Sequence, residues 1–203
     1  MQPIPINLAI EDFLSEAVLR KILRFTKRPY ATGTCFCKGG YGYLKKNIQG
    51  FNQAAKITPF LVLTDLDNIE CPPVLIQEWL PHPKHPNLLF RVAVREIEAW
   101  LLAHREAFAK FIGIPIRSIP FNVDTMSDPK GFLLSLAKKS KKRQLREAIT
   151  PAPGSTAKVG PDYNGQLGLF VEKLWDVASA IQHSPSLQRT VNAVKHFNPQ
   201  WHI

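Results

Sequence analysis

The stretch that most constrains this chain is Pro59 to Asp67, Pro-Phe-Leu-Val-Leu-Thr-Asp-Leu-Asp. Phe60 to Leu63 form an unbroken apolar run, too short for a helix and flanked by a proline and a polar turn. That pattern predicts a strand buried on both faces, as in a parallel sheet covered by helices. Residues two apart in an extended chain point the same way, so Asp65 and Asp67 are expected to project together past the strand end while Leu66 turns aside. Open parallel α/β sheets bind ligands at the carboxyl ends of their strands. Two adjacent carboxylates there repel each other unless a cation sits between them, and a hard ion such as Mg²⁺ or Mn²⁺ suits oxygen ligands. A pair of solvated turn formers is the plainer reading, and the rest of the chain decides between them.

Taken in order, Ile4–Ile10 reads as a first strand, with Pro3 and Pro5 at its entry and Glu11 at its carboxyl end. Phe13 to Phe25 has helical spacing, Tyr30–Cys37 is β-rich, and Lys38–Gly42 is a glycine-rich turn without a phosphate-loop ending. A helix over Tyr43–Lys56 leads into the central strand. Pro72 or Pro73 then suits the first turn of a helix running to about Leu80. Pro81–Pro86 is a loop whose two histidines read as surface residues. Leu88–Val94 is a fourth strand, and Ile97, Leu101, Phe108, Phe111 and Ile112 form the inner stripe of one amphipathic helix stopped by Gly113. Four strand-helix repeats predict an α/β fold: a mostly parallel, Rossmann-like, four-stranded sheet flanked by helices over residues 1–113. Residues 114–203 read as a basic, mainly helical C-terminal extension packed on that core. Its helices are expected near Gly131–Ser140, at Gln166–Ile181 and after a Ser184 cap.

Charge supports a polyanionic partner. The chain of 203 residues carries a net charge of +10, and eight Lys or Arg face one acid between Pro129 and Gly160. Lys138, Lys139, Lys141, Lys142, Arg143 and Arg146 are the candidate phosphate-binding residues, for which a solvated helix face is the plainer alternative. Cys35, Cys37 and Cys71 are an odd set, which points to free thiols in a reducing, cytoplasmic setting. Cys35-Phe36-Cys37 lacks the second ligand pair that zinc needs. No apolar run approaches a membrane span, and no signal peptide is expected.

Three of the four strand ends carry acids: Glu11, then Asp65 with Asp67, then Glu96 with Glu98. A parallel sheet places these ends on one edge, and a site for one or two Mg²⁺ or Mn²⁺ ions gives a reason to gather carboxylates there. If a helix begins before Glu98, Glu96 and Glu98 lie about 200° apart around its axis and only one faces the metal.

Asp65-Leu66-Asp67 after an apolar strand, with the earlier strand-end Glu11, resembles the TOPRIM arrangement of topoisomerases, primases and OLD-type nucleases. Arg95-Glu96-Ile97-Glu98-Ala99-Trp100-Leu101 resembles a narrower group of bacterial TOPRIM-like proteins, as do Asp128-Pro129-Lys130 and Ser184-Pro185-Ser186. The resemblance implies Glu11, Asp65 and Asp67 as metal ligands and catalytic residues. It adds Glu96 or Glu98 as a further acidic position and Lys130 as the nearby catalytic lysine. It also implies a magnesium-dependent nuclease or phosphodiesterase of phage defence, with an ABC-type ATPase as a possible partner. Asp12 stands where such proteins carry glycine, and the next acid, Glu16, falls one residue late. A catalytically silent TOPRIM-like module that binds nucleic acid or an ATPase therefore stays open as the alternative. A haloacid-dehalogenase-type phosphatase is disfavoured, because its Asp-x-Asp follows the first strand rather than the third.

Overall fold

The computed structural model describes residues 2–201. It divides into two compact units, Met1–Val94 with Gln188–Ile203, and Arg95–Leu187. The sequence places its boundary after residue 113; the first unit instead ends with the fourth strand and takes up the end of the chain.

The first unit holds four strands, β1 (Ile4–Ala9), β2 (Tyr30–Phe36), β3 (Phe60–Asp65) and β4 (Leu88–Ala93). They form one all-parallel sheet in the order β2-β1-β3-β4. The expected four-stranded parallel α/β architecture is therefore present, and β3 is an interior strand. Phe60, Leu61, Val62 and Leu63 are each no more than 3% exposed, as a run covered on both faces requires. Between the strands run α1 (Phe13–Phe25), α2 (Gly40–Ala54) and α3 (Pro72–Trp79). Helix α2 begins inside the glycine-rich stretch, whose Gly39 and Gly40 both adopt left-handed backbone conformations.

One sheet face carries Ala9, Phe60, Val62, Phe90 and Val92, packed with Leu44, Ile48 and Phe51 of α2 and Leu75 and Trp79 of α3. The chain steps from β1 to β2 in the direction opposite to its next two steps. Right-handed crossovers therefore put α1 on the other face, where the alternate residues Ile6, Leu8, Leu61 and Leu63 are buried. That face also receives the end of the last helix, α10 (Pro185–Lys195): Tyr30 Oη donates to Val194 O at 2.6 Å, and Arg91 Nε to Thr190 Oγ1 at 3.4 Å.

Two features of β1 have local causes. Pro5 has no N–H to give, and pairing with β3 begins only at Asn7, past that position. The β1–β2 register shifts between Ile6 and Leu8, and there Asn7 Oδ1 takes the Thr34 N–H at 2.9 Å. Gly33 makes room for that amide, since a Cβ on residue 33 would sit 2.5 Å from Asn7 Oδ1.

The second unit is helical: α4 (Ile97–Ala103), α5 (Arg105–Ile112), α6 (Pro129–Lys138), α7 (Arg143–Ile149), α8 (Tyr163–Lys173) and α9 (Val177–Ala180). The single helix expected after Glu96 is broken at His104, and every residue of α4 is buried, Glu98 included. The helix expected over Gln166–Ile181 is likewise two. They part at Trp175, whose indole N–H donates to Trp100 O at 2.9 Å, and at Asp176, which caps α9. Trp100 in turn donates its indole N–H to Ser186 Oγ at 2.7 Å. Asp124 holds that segment by accepting from Ser184 Oγ and the Ser186 N–H, both at 2.7 Å.

Ser186→Ala leaves the fully buried Trp100 N–H without its acceptor. Thermal or urea unfolding should show a loss of about 1–3 kcal/mol; an unchanged midpoint would remove this bond from the account of the unit.

Candidate functional site

Glu11 stands two residues past the end of β1, after the buried Ile10, and Asp65 closes β3, the strand next to it. The two strand ends are fastened by one oxygen. Glu11 Oε1 accepts from Thr64 Oγ1 at 2.5 Å and from the Asp65 N–H at 2.9 Å. The sheet thus brings Glu11 to Asp65, as the sequence predicts. Leu66 turns into the core and is 1% exposed. Asp67 lies beyond the strand in a turn, with a left-handed φ of 48°, so strand alternation does not continue through it, while its charge still acts on Glu11. Aspartate tolerates that region better than most residues.

Burial is the main cause that pushes the Glu11 carboxyl above its ordinary range. The bonds from Thr64 and the Asp65 N–H pull the other way, while the charges of Asp67 and Asp12 raise it further. Negative charge is therefore concentrated at the ends of β1 and β3. The two remaining acids nearby have structural duties. Asp12 caps α1 through the Ser15 N–H at 2.8 Å, and Glu16 pairs with Arg20 at 2.7 Å. The donors at this edge are all oxygens, the chemistry a hard divalent cation takes. Among the described residues, however, no group of three or more His, Cys, Asp or Glu side chains is arranged to hold a metal ion. Glu11, Asp65 and Asp67 supply suitable donors without forming a finished cage.

Glu96 and Glu98 belong to the second unit, where both turn to the start of α6. Glu96 is the N-cap of α4, and its Oε2 accepts the Lys130 N–H at 2.7 Å. Glu98 is 2% exposed; its Oε1 accepts from Tyr163 Oη at 2.7 Å and lies 3.4 Å from Lys130 Nζ. Lys130 Nζ also stands 5.4 Å from the centre of the Tyr163 ring. Burial, foremost, raises the Glu96 pKa, with Glu98 and Asp128 adding to it against the Lys130 N–H and charge. Asp128 caps α6 through the Gly131 N–H at 2.7 Å, which fixes where Lys130 emerges. The three segments Arg95–Leu101, Asp128–Lys130 and Ser184–Ser186 thus meet within one unit. Tyr163 is absent from the sequence reading, because a lone tyrosine after a proline-rich loop carries no spacing signal.

The basic run is partly spent on structure. Lys142 Nζ donates to the carbonyls of Lys110 and Phe111 at 2.9 and 2.7 Å, so it caps the end of α5. Arg146 donates to Ser140 O at 2.7 Å, and Arg143 pairs with Glu147 at 2.8 Å. Lys138, Lys139 and Lys141 are exposed. The thiols point away from reactivity: burial, aided by Glu16, pushes Cys35 up to about 12, and burial also raises Cys37. Among the described residues, no helix is long and apolar enough to cross a membrane. Comparisons with family models, curated proteins and solved structures each returned no match.

A raised carboxyl pKa means that the folded chain keeps a proton over a window where the unfolded chain has released it. Stability from the protonated form is full below the unfolded value and is lost as pH rises through the folded one. Glu11→Gln keeps an acceptor at Oε1 and removes the charge. Its melting temperature at neutral pH should exceed that of the wild type, and the wild type should close the gap on acidification. A Glu11→Gln variant that melts lower at neutral pH would show that the fold itself needs the anion.

Proposed function

We propose that this protein is a TOPRIM-like, metal-dependent phosphodiesterase that acts on nucleic acid. The observation that carries the reading is the Glu11 carboxylate held against the end of β3 by Thr64 and the Asp65 N–H, where its charge adds to that of Asp67. Glu11, Asp65 and Asp67 are the residues that would hold Mg²⁺ or Mn²⁺. When bound, such an ion supplies charge neutralisation at a phosphodiester and a more acidic water. Glu11 positions Asp65 through its backbone N–H. Lys130, which Glu98 and Tyr163 orient within the second unit, is the catalytic lysine that the resemblance implies. Lys138, Lys139 and Lys141 supply sequence-independent binding to phosphates. The phage-defence role and the ABC-type ATPase partner rest on the resemblance alone.

A second reading, the catalytically silent module, draws support from the unfinished ligand set and from the structural duties of Asp12 and Glu16.

Calorimetric Mn²⁺ titration, run beside cleavage assays on single-stranded, duplex and structured substrates, separates the two. The nuclease reading expects metal binding and cleavage in the wild type, with cleavage abolished in Asp65→Asn. Metal binding without cleavage of any substrate favours the silent module, and no binding at millimolar Mn²⁺ removes the metal from both. For the basic run, alanine at Lys138, Lys139 and Lys141 should flatten the dependence of log affinity on log salt. The slope should fall by up to about 0.9 for each phosphate no longer neutralised. Lys142→Ala should also loosen the end of α5 and lower the melting temperature. An unchanged slope in the triple variant would assign the run to solvent.

A further inference from the structure

We propose that the cleft between α1 and β2 binds a phosphate monoester group, at a place separate from the acidic sheet edge. The cleft has a volume of about 290 Å³ and is lined by Arg20, Leu23, Arg24, Arg28, Tyr30 and Thr32. Arg28 and Tyr30 stand where β2 begins, whereas Glu11 and Asp65 stand where strands end.

Three guanidinium groups share this cleft, and two of them are held in place. Arg20 is fixed by Glu16 at 2.7 Å, which offsets one positive charge. Arg28 donates to the carbonyls of Lys195 and Phe197 and, at 3.2 Å, to Asn198 Oδ1. Those acceptors are neutral, so they orient the guanidinium without cancelling its charge. Its carbon also lies 5.6 Å from the centre of the Tyr30 ring. Arg24 is exposed, and neither it nor Arg28 pairs with a carboxylate among the described residues.

The helix dipole accounts for only part of this. A basic residue in the last turn of α1 offsets the partial negative charge at its carboxyl end, and Arg24 occupies that turn. Arg20 lies a turn earlier and Arg28 lies past the helix, yet both face the same cleft. The arrangement leaves two uncompensated positive charges, an oriented Arg28 guanidinium that keeps its Nε–H and one Nη2–H to donate, and Thr32 in the lining. A phosphate monoester carries a charge of about −1.5 to −2 at neutral pH, which matches this better than the single charge of a backbone diester. Arginine forks also fit phosphate oxygens in pairs. The volume suits a phosphate with part of its ester group; pockets for larger ligands start at about 300 Å³. The group's source is a nucleic-acid end or a small phosphorylated molecule.

The test is made in EDTA at constant ionic strength, so it does not depend on metal chemistry at the sheet edge. Fluorescence anisotropy compares one short single strand with a 5′-phosphate or a 5′-hydroxyl. Thermal melts follow inorganic phosphate and a nucleoside monophosphate. Two charge-assisted bonds predict about tenfold or greater preference for the phosphorylated strand. That preference assigns the site to a nucleic-acid end. A rise in melting temperature with the small phosphates, without strand discrimination, assigns it to a small molecule. Either effect must vanish in Arg24→Gln, an exposed position whose substitution leaves the Arg28 bonds in place. Neither effect in the wild type, or an effect undiminished in Arg24→Gln, overturns the proposal.

Discussion

The carbonyl-like role of a single carboxylate oxygen organises the first unit's working edge. Glu11 Oε1 takes one bond from a side chain and one from the backbone of the neighbouring strand, and so fixes how the ends of β1 and β3 meet. An amide oxygen would serve equally for fastening. The fold instead keeps a largely buried anion there, next to further acids, at a cost that burial makes plain. A charge that packing does not require, at the carboxyl end of interior parallel strands, is the physical reason to look for a cationic ligand.

The second unit is organised by polar groups of a different kind. Trp100 and Trp175 are almost completely buried, and each has an acceptor for its indole N–H. Ser186 receives one of these bonds while Asp124 holds its backbone. Trp100 of the Trp-containing motif and Ser186 of the Ser-Pro-Ser segment are thus partners in packing. Glu98 is another matter. A carboxylate 2% exposed with a lysine and a tyrosine turned to it is a polar cluster in which each member limits the others' freedom.

Periodicity made the sheet legible. The apolar run Phe60–Leu63 marked the interior strand, and strand-helix alternation implied parallel order, because burial on both faces leaves a continuous pattern. Side-chain bonds that replace backbone ones leave no such trace. Asn7 interrupts the β1–β2 register through its amide, and nothing around it in sequence marks the shift. The helix after Glu96 read as one amphipathic element, since Phe108 and Ile112 keep the spacing begun by Ile97 and Leu101. Complete burial of α4 and the break at His104 come from packing within the second unit. Glu11 and Asp65 were recognisable from their places at strand ends. Tyr163 and the Arg20–Arg28 cleft were not, because each depends on residues brought together by the fold.

The central claim is that the ends of β1 and β3 form a divalent-cation site. The most direct measurement is the ¹⁵N–¹H spectrum of the protein under substoichiometric additions of Mn²⁺, whose unpaired electrons broaden nearby amides. The account predicts that the amides of Glu11 and of Thr64 to Asn68 broaden first, and that Asp65→Asn abolishes the effect. Broadening centred elsewhere, or spread evenly over the surface acids, would contradict it.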